Sequence, residues 1–452
     1  MDKEITNINS QTGGDIPDGL PIPSRYWAIL AIGLGVTVSV LDGAIANVAL
    51  PTIAGDLHTS PSASIWVVNA YQLAITISLL SLSSMGEIWG YRKVYTIGLL
   101  LFSCTSLACA LSDSLFTLII ARTLQGFGAA AIASVNTALI RIIYPKRFLG
   151  RGMGINALVV SVSAAAGPTI AAGILSVGNW PWLFAINIPI GITALILSFK
   201  FLPQNPVKAV GRKFDVTAAL MNALTFGLVI AIIEAFTHDV HISLIVAAIV
   251  IVLFCGYFYV RREKRQAYPL LPIDLLRIPL FTLSIITSMV SFPFFLQRVL
   301  GRDEVATGLL LTPWPLATMV CAPLAGILSE KMNAGVLSGI GLIIFSGGLF
   351  SLAELPAHPS DLDIMALCGC GFGLFQTPNN SLMIGAAPES RSGGASGMLG
   401  TARLLGQTCG ASLVALMFKL FPGHSMPAAL WLGSVLALIG AVISFSRINR
   451  KA

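Results

Sequence analysis

The sequence predicts an all-α polytopic membrane protein with fourteen transmembrane helices, arranged as two six-helix halves plus an inserted helix pair. The 452-residue chain is 55% hydrophobic and only 10% charged, whereas soluble domains carry about 25% charged residues. Its apolar residues form runs of the roughly 18 or more residues that a membrane-spanning helix needs. Its basic residues collect between these runs, mostly on one side. A soluble enzyme, a secreted disulfide-linked domain and a disordered chain are therefore excluded.

The predicted spans are apolar runs bounded by polar breaks. They lie at about 27–53, 64–85, 92–112, 114–140, 152–176, 181–201, 214–236, 240–260, 279–300, 305–329, 334–354, 361–383, 393–419 and 425–446. If the N-terminus is cytoplasmic, most of the 27 Lys and Arg residues fall in cytoplasmic segments, as the positive-inside rule requires. The basic excess therefore indicates topology, with both termini cytoplasmic, and we expect no nucleic-acid binding.

The chain divides into five segments. They are a cytoplasmic tail at 1–24, a six-helix half at 25–201, a linker helix pair at 202–265, a second six-helix half at 266–447 and a cytoplasmic tail at 448–452. A weak internal repeat relates the halves, because Ser83-Ser-Met-Gly-Glu87 and Gly326-Ile-Leu-Ser-Glu330 each end the second helix of a half. In transporters, parallel repeats of this kind place a substrate site near the midplane between the halves.

The ionisable residues within predicted spans include Asp42, Arg122, Glu234 and Arg403, which lie away from the cytoplasmic ends. A charge near the bilayer centre costs about 2.5–3.5 kcal/mol on insertion scales, so such residues are functional candidates. Asp42 lies roughly 16 Å from the outer end of the first span, and Arg122 lies roughly 12 Å from the outer end of the fourth. These similar depths predict that the two side chains meet inside the N-terminal half.

A buried aspartate beside an arginine suits an exchange of ligands. Burial favours the protonated form of a carboxyl group, whereas a nearby arginine favours the ionised form. A modest rearrangement would then let Asp42 take a proton on one side of the membrane and a cationic substrate on the other. The alternative is a permanent structural ion pair. For Glu234 the alternative is a solvated interfacial carboxylate, and for Arg403 it is structural support without a cavity contact.

Two small-residue patterns predict close helix contacts. Gly126 follows Arg122 by four residues, on a face that also carries Gln125, and small residues there let helices approach closely. In the fifth span, Gly167-Pro168 lies in an alanine-rich stripe, where proline removes a backbone donor and bends the helix. This pattern favours either tight packing alone or a contact on which the two halves rock.

Several motifs, spread over nearly the whole chain, resemble the 14-helix drug:proton antiporter branch of the major facilitator superfamily. They are Leu41-Asp42-x-x-Ile45-x-Asn47-Val-Ala-Leu-Pro51, Trp66 to Tyr71 followed by Gln72, Leu118-x-x-x-Arg122-x-x-Gln125-Gly126, Gly167-Pro168, Trp182-Leu-Phe-x-Ile-Asn187-x-Pro189 and Arg391-Ser-Gly-Gly-Ala-Ser-Gly397. Within that branch the chain resembles the methyl viologen and quaternary ammonium efflux pumps of enteric bacteria.

This resemblance implies a pump of the bacterial inner membrane that exports lipophilic cations in exchange for protons. Its substrates would be quaternary ammonium compounds, viologen-like dications, cationic dyes and biguanides. The implied proton-coupling or cation-binding residues are Asp42, Arg122 and Glu234, the gating residues are Glu87, Arg92, Gly126, Gly167 and Pro168, and the cavity residues are Trp66, Tyr71, Gln125, Asn187 and Arg403. The implied partners are the substrate, protons and the lipid bilayer, with no cofactor, metal or obligate protein partner.

Two stretches depart from the family pattern. Glu87-Ile88 stands where the family has Asp-Arg, so one expected basic residue of this loop is missing. The stretch Phe281–Leu300 is shorter than its counterpart in relatives, with the gap between Phe292 and Pro293.

Other functional classes fit the sequence less well. A primary pump is excluded because the chain has no Gly-Lys dipeptide, and hence no Walker A loop to hold a nucleotide. A proton-coupled transporter or facilitator for a small polar metabolite is the alternative. It would need many hydrogen-bonding side chains in the spans, where this sequence offers mainly Trp, Phe, Met and small residues. A membrane-embedded enzyme or sensor is disfavoured because no nucleophile–base pair or metal-ligand cluster is present.

Overall fold

The computed structural model describes residues 18–205, 214–235, 242–266, 270–271, 313–354, 362–420 and 425–446. Every regular element within these residues is helical. The long helices are α1 Ser24–Asp56, α2 Trp66–Trp89, α3 Tyr91–Ala110, α4 Leu115–Ile143, α5 Leu149–Val177, α6 Asn187–Phe201, α7 Val216–Ala235, α8 Ile242–Glu263, α9 Pro313–Leu328, α10 Ala334–Glu354, α11 Leu362–Ala386, α12 Ser392–Leu420 and α13 Ser425–Phe445. A one-turn helix, Pro181–Ala185, precedes α6.

The long helices agree with the predicted spans. Helices α1–α8 match the first eight spans, and α9–α13 match the tenth to the fourteenth. The ninth span, at 279–300, lies outside the described residues, as does the short stretch Phe281–Leu300 that departs from the family pattern. By length and composition, eight of the described helices can cross a membrane, namely α1–α6, α10 and α13. The described chain is therefore a polytopic helical bundle.

The turn between α2 and α3 needs a glycine. Gly90 has a φ of +106°, in the left-handed region that side chains rarely tolerate. Asn205, which follows the N-terminal half, holds this turn, because its Oδ1 accepts from Tyr91 N at 2.8 Å and its Nδ2 donates to Gly86 O at 3.1 Å. This bracing positions the last turn of α2, which carries Glu87.

Each half contains an equivalent crossing of two helices, at which a pair of glycines lets the backbones approach closely. A Cβ atom on Gly98 of α3 would lie 3.0 Å from the carbonyl oxygen of Gly128 on α4. In the C-terminal half, a Cβ atom on Gly341 of α10 would lie 2.7 Å from the carbonyl oxygen of Gly371 on α11. Gly341 follows Gly98 along the chain by the same number of residues as Gly371 follows Gly128. The backbones thus cross at equivalent points, which extends the weak sequence repeat to the packing of the helices.

Of the inserted pair, α7 lies against α2 and α12, and α8 packs on α7. Asn222 of α7 donates from Nδ2 to the carbonyl oxygen of Ile77 on α2, at 3.1 Å. Tyr259 of α8 donates its hydroxyl to Asn222 Oδ1 at 3.4 Å. An ion pair between Arg262 and Asp215, at 2.9 Å, joins the two helices of the pair. The pair is therefore hydrogen-bonded to the N-terminal half while also covering part of the C-terminal half.

Candidate substrate and proton-coupling site

The N-terminal half encloses a buried polar network around Asp42. Its Oδ2 forms an ion pair with Arg122 Nη1, and both side chains are fully buried. Its Oδ1 accepts from Gln125 Nε2 at 3.0 Å and from Asn187 Nδ2 at 2.8 Å. Both carboxylate oxygens are thus held by donors, as a buried charge requires. The contact that the similar depths of Asp42 and Arg122 predict is present.

Arg122 is fixed from several directions. Its Nε donates to the carbonyl oxygen of Val67 at 3.0 Å. Its Nη1 also donates to Gln125 Oε1 at 2.6 Å. The guanidinium carbon lies 4.2 Å from the centre of the Tyr71 ring and 5.4 Å from that of Phe184, distances at which an aromatic face attracts a cation. The Nη2 atom is buried and has no hydrogen-bond partner among the described residues.

Four helices of one half build this network. Asp42 comes from α1, Tyr71 from α2, Arg122 and Gln125 from α4, and Asn187 from the first position of α6. The spacing of three residues between Arg122 and Gln125 places both on one face of α4. Gly126 brings that helix close to α2, because a Cβ atom there would lie 2.6 Å from the carbonyl oxygen of Tyr71. The predicted role of Gly126 in close packing is thus matched by its contact.

Trp66 lies at the edge of the network, next to Val67, and is 49% exposed. The predicted cavity residues Tyr71, Gln125 and Asn187 are instead buried. They contact the Asp42–Arg122 pair and nearby backbone, and Gln125 also donates to Ser106 Oγ and accepts from Cys109 Sγ. Their position makes them supports of the ion pair in this conformation. Arg403 lies apart from them, on α12 of the other half.

A second polar cluster joins the two halves at one end of the bundle, which we call the closed end. Glu87 of α2 pairs with Arg391, with Oε2 and Nη1 3.0 Å apart. Its other oxygen accepts from Gly394 N, at the start of α12, at 2.7 Å. The hydroxyl of Tyr91 accepts from Gly393 N at 2.9 Å. A carboxylate at a helix N-terminus is favourable because the backbone N–H groups there have no partner within the helix.

Arg141 makes the complementary contact at the closed end. This residue lies in the last turn of α4. Its Nη1 donates to the carbonyl oxygens of Ile384 and Ala387 at 2.8 and 2.7 Å, as well as to Ser392 Oγ at 3.0 Å. Carbonyl groups at a helix C-terminus carry partial negative charge. A cation from one half thus binds the C-terminal end of α11 in the other.

The α5–α9 side of the closed end is formed by backbone. A Cβ atom on Gly150 of α5 would lie 2.6 Å from the carbonyl oxygen of Gly326 on α9. Beside this contact, Arg151 forms an ion pair with Glu330, with Nε and Oε1 2.6 Å apart. Glu330 stands in the repeat position of Glu87. The two halves therefore contribute equivalent carboxylates to opposite sides of the closed end.

The described contacts of two predicted gating residues, Gly167 and Arg92, lie within the N-terminal half. Gly167 contacts Ala44 of α1, in its own half, so it is not at the described contact between α5 and α9. The reason is that α5 meets the other half through its first turns, at Gly150 and Gly154. Arg92 donates to the carbonyl oxygen of Phe199 on α6, again within one half. Neither residue joins the two halves in this conformation.

The remaining predicted residues have fewer described contacts. Pro168 lies within α5, which continues through it as a helix, and its side chain is exposed. Glu234 lies in α7, but its side chain is outside the described residues. Sequence reasoning did not identify Arg141, Tyr91 or Asn222. Arg141 had a usable signal, since it is a basic residue at the end of a helix that carries Arg122.

Comparison with known proteins gives a consistent result. The family model described as "Major Facilitator Superfamily" matches residues 32–411 and 278–451. The chain is 59% identical to the "Uncharacterized transporter YebQ" of Escherichia coli, over 96% of this chain and 98% of that protein. It is 31% identical to the "Multidrug resistance protein Stp" of Mycobacterium tuberculosis, over 86% of this chain and 75% of that protein. It is 29% identical to the "Riboflavin transporter RibZ" of Clostridioides difficile, over 93% and 97%.

The fold matches solved structures as well. The proton:xylose symporter XylE superimposes with a TM-score of 0.67 at 15% identity, covering 93% of this chain and 95% of that one. At this level of identity the likeness concerns the fold alone.

Proposed function

The chain belongs to the Major Facilitator Superfamily, and we propose that it works there as a proton-driven antiporter that exports lipophilic organic cations. The family membership makes it a membrane transporter. Similarity to a multidrug resistance protein over 86% of the chain supports drug export. The proposed substrates are quaternary ammonium compounds, viologen-like dications, cationic dyes and biguanides, and the proposed location is a bacterial inner membrane with both termini cytoplasmic.

The observation that carries this proposal is the fully buried pair of Asp42 and Arg122. The pair is neutral when Asp42 is ionised, and it carries one positive charge when Asp42 binds a proton. A second cation is therefore repelled from the protonated site and accepted only by the ionised one. Because proton and substrate compete for the same carboxylate, entry of one accompanies release of the other, which is the condition for exchange.

The polar neighbours of Asp42 can stay in place whether its carboxyl group is ionised or protonated. Gln125 and Asn187 hold the Oδ1 atom of Asp42, leaving Oδ2 to Arg122 alone. Protonation of Oδ2 would remove only the contact with Arg122, which keeps its bond to the Val67 carbonyl and its place over Tyr71. Proton exchange can drive such a cycle, since moving one charge across 100 mV provides about 2.3 kcal/mol.

The closed end supplies the second requirement of an alternating-access cycle. Glu87, Arg141 and Gly150 hold the two halves together at the end that carries the predicted cytoplasmic basic residues. We assign the described conformation to the state that faces outward, in which the cytoplasmic side is shut. Opening to the cytoplasm would then require these contacts to separate.

Dye efflux from cells that express the full chain tests the proposal. We expect ethidium and methyl viologen export to depend on the protein and to stop when a protonophore is added. Asp42→Asn should lower the efflux rate at least about tenfold, because hydrogen bonds to charged groups contribute roughly 1.5–3 kcal/mol. Asp56→Asn is the matched control, because Asp56 ends the same helix and is exposed. Native efflux by Asp42→Asn, still sensitive to the protonophore, would remove Asp42 from the mechanism.

A second candidate is proton-coupled transport of a polar metabolite. It is favoured by the likeness to a riboflavin transporter, which covers nearly the whole of both chains. Uptake and efflux of radiolabelled riboflavin in the same cells separates the two candidates. Riboflavin movement that depends on the protein, without dye export, would favour this second function.

A further inference from the structure

Arg403 is a cation deep within the membrane region. It lies on α12, eleven residues beyond Ser392 at the closed end, which corresponds to roughly 16 Å along the helix. The hydrocarbon core is about 30 Å thick, so this guanidinium lies close to its middle. A charge at that depth is costly to insert and is a functional candidate by default.

No described residue compensates this charge. No hydrogen bond or ion pair joins Arg403 to any of the described side chains, and its side chain is only partly buried. Asp42 and Arg122 neutralise each other, and Glu87 is paired with Arg391. Within the described part of the spans, Arg403 therefore remains as an uncompensated positive charge. Charged side chains within membrane spans otherwise pair with one another or with backbone carbonyl groups.

Arg403 follows a stretch of α12 that packs closely against α2 of the other half. A row of glycines on α12 faces α2, and a Cβ atom on Gly397 would lie 2.6 Å from Ser83 Oγ. The next in the row, Gly400, would place a Cβ atom 2.9 Å from Leu79. Arg403 follows Gly400 by one helical turn, on the same side of α12. Arg403 thus lies one turn beyond the last of these glycine contacts, on a helix of the C-terminal half, whereas Asp42 lies on α1 of the N-terminal half.

We propose that Arg403 is the contact point for a carboxylate on the substrate, and that the chain exports aromatic amphiphiles that bear a carboxylate as well as simple cations. A guanidinium matches a carboxylate because its planar fork donates two parallel hydrogen bonds. This inference rests on the proposed export function and names a further class of substrate for it. The cation contact lies in the N-terminal half and the carboxylate contact in the C-terminal half.

Two dyes that differ only in the carboxylate test the inference. Rhodamine B carries a xanthene cation and a free carboxylate, and its ethyl ester carries the same cation without the negative charge. We expect cells with the native chain to export both. Arg403→Gln should lower export of rhodamine B roughly tenfold, the loss expected for a charged hydrogen bond, while export of the ester stays unchanged. Arg403→Lys keeps the positive charge without the planar guanidinium. Its rate of rhodamine B export should therefore lie between those of the native chain and Arg403→Gln.

The controls separate this inference from the export function itself. Arg261→Gln removes an exposed cation at the end of α8 and should leave both dyes unaffected. Equal loss of both dyes, or of neither, in Arg403→Gln overturns the inference and leaves the export function standing. Binding of the two dyes to the purified full chain, measured by fluorescence anisotropy, tests the same preference without transport. An Arg403→Gln protein that binds rhodamine B as tightly as the native chain also overturns the inference, even where export fails.

Discussion

Glu87 on α2 and Arg391 at the start of α12 form a buried ion pair between the two halves of the molecule, with 3.0 Å between Oε2 and Nη1. A second ion pair between the halves, Arg151 with Glu330, lies at the same end but has a 48% exposed arginine. The structure thus offers two carboxylates in equivalent repeat positions whose burial differs. Substituting each carboxylate in turn shows which of the two ion pairs holds the halves together.

Glu87→Gln should favour separation of the halves at the closed end. Breaking a buried pair by removing one partner costs roughly 3–5 kcal/mol, whereas an exposed pair contributes about 0–1 kcal/mol. Glu330→Gln should therefore have little effect. The measurement is labelling of a Thr137→Cys variant by an impermeant maleimide in inside-out vesicles, since Thr137 is buried against Ser396 of the other half. Equal labelling rates in the two glutamine variants would show that burial of Glu87 is irrelevant.

Gly326→Val should prevent the closed end from closing. The carbonyl oxygen of Gly326 lies 2.6 Å from where a Cβ atom on Gly150 would be, so the two backbones leave no space for a side chain. We expect the variant to be labelled rapidly at Thr137→Cys and to lose dye efflux. Gly385→Val is the control, because a Cβ atom there meets nothing within 4 Å. Normal efflux by Gly326→Val would show that this contact opens and closes without consequence.

Asn187→Ala should weaken exchange without unfolding the protein. Asp42 would lose a donor at 2.8 Å but keep Arg122 and Gln125, so the efflux rate should fall by roughly tenfold. Asn179→Ala changes an exposed residue of the loop before α6 and should have no effect. Initial rates of ethidium efflux, with melting temperatures of both purified variants, check this. An unchanged rate would restrict the network to Asp42, Arg122 and Gln125.

Asn222→Ala should loosen the inserted pair from α2. The variant loses the bond to the Ile77 carbonyl, and hydrogen bonds between membrane helices contribute about 0.6 kcal/mol on average. The melting temperature of the purified chain should drop slightly. Thr225→Val, one turn further along α7, is expected to be neutral because the Thr225 hydroxyl is buried without a partner among the described residues. A larger loss in Thr225→Val than in Asn222→Ala would contradict this account of how the pair is attached.

Much of the fold could be predicted because membrane helices follow composition closely. Each run of apolar residues must satisfy its own backbone hydrogen bonds in lipid, so the span predicted at about 27–53 lies within the helix Ser24–Asp56. The meeting of Asp42 with Arg122 was predictable for a related reason, since rise per residue fixes depth. Depth did not identify Asn187 as a neighbour of Asp42. Asn187 was named only because its motif resembles one in known pumps.

The contacts between halves were harder to predict. Glu87 and Arg391 are separated by most of the chain, and no periodicity links them. Gly167 and Gly150 lie on one helix with similar small neighbours, and only the packing decides that Gly150 meets α9 while Gly167 meets α1. A small residue indicates that something approaches closely, but it does not identify the neighbour.

The backbone contact between Gly150 and Gly326 also bears on proton leakage through the protein. Where two main chains touch, no row of water molecules fits between them. Protons therefore cannot pass from one water molecule to the next at this point. For the proposed antiporter, this contact closes one route by which protons could cross a resting molecule without exchange.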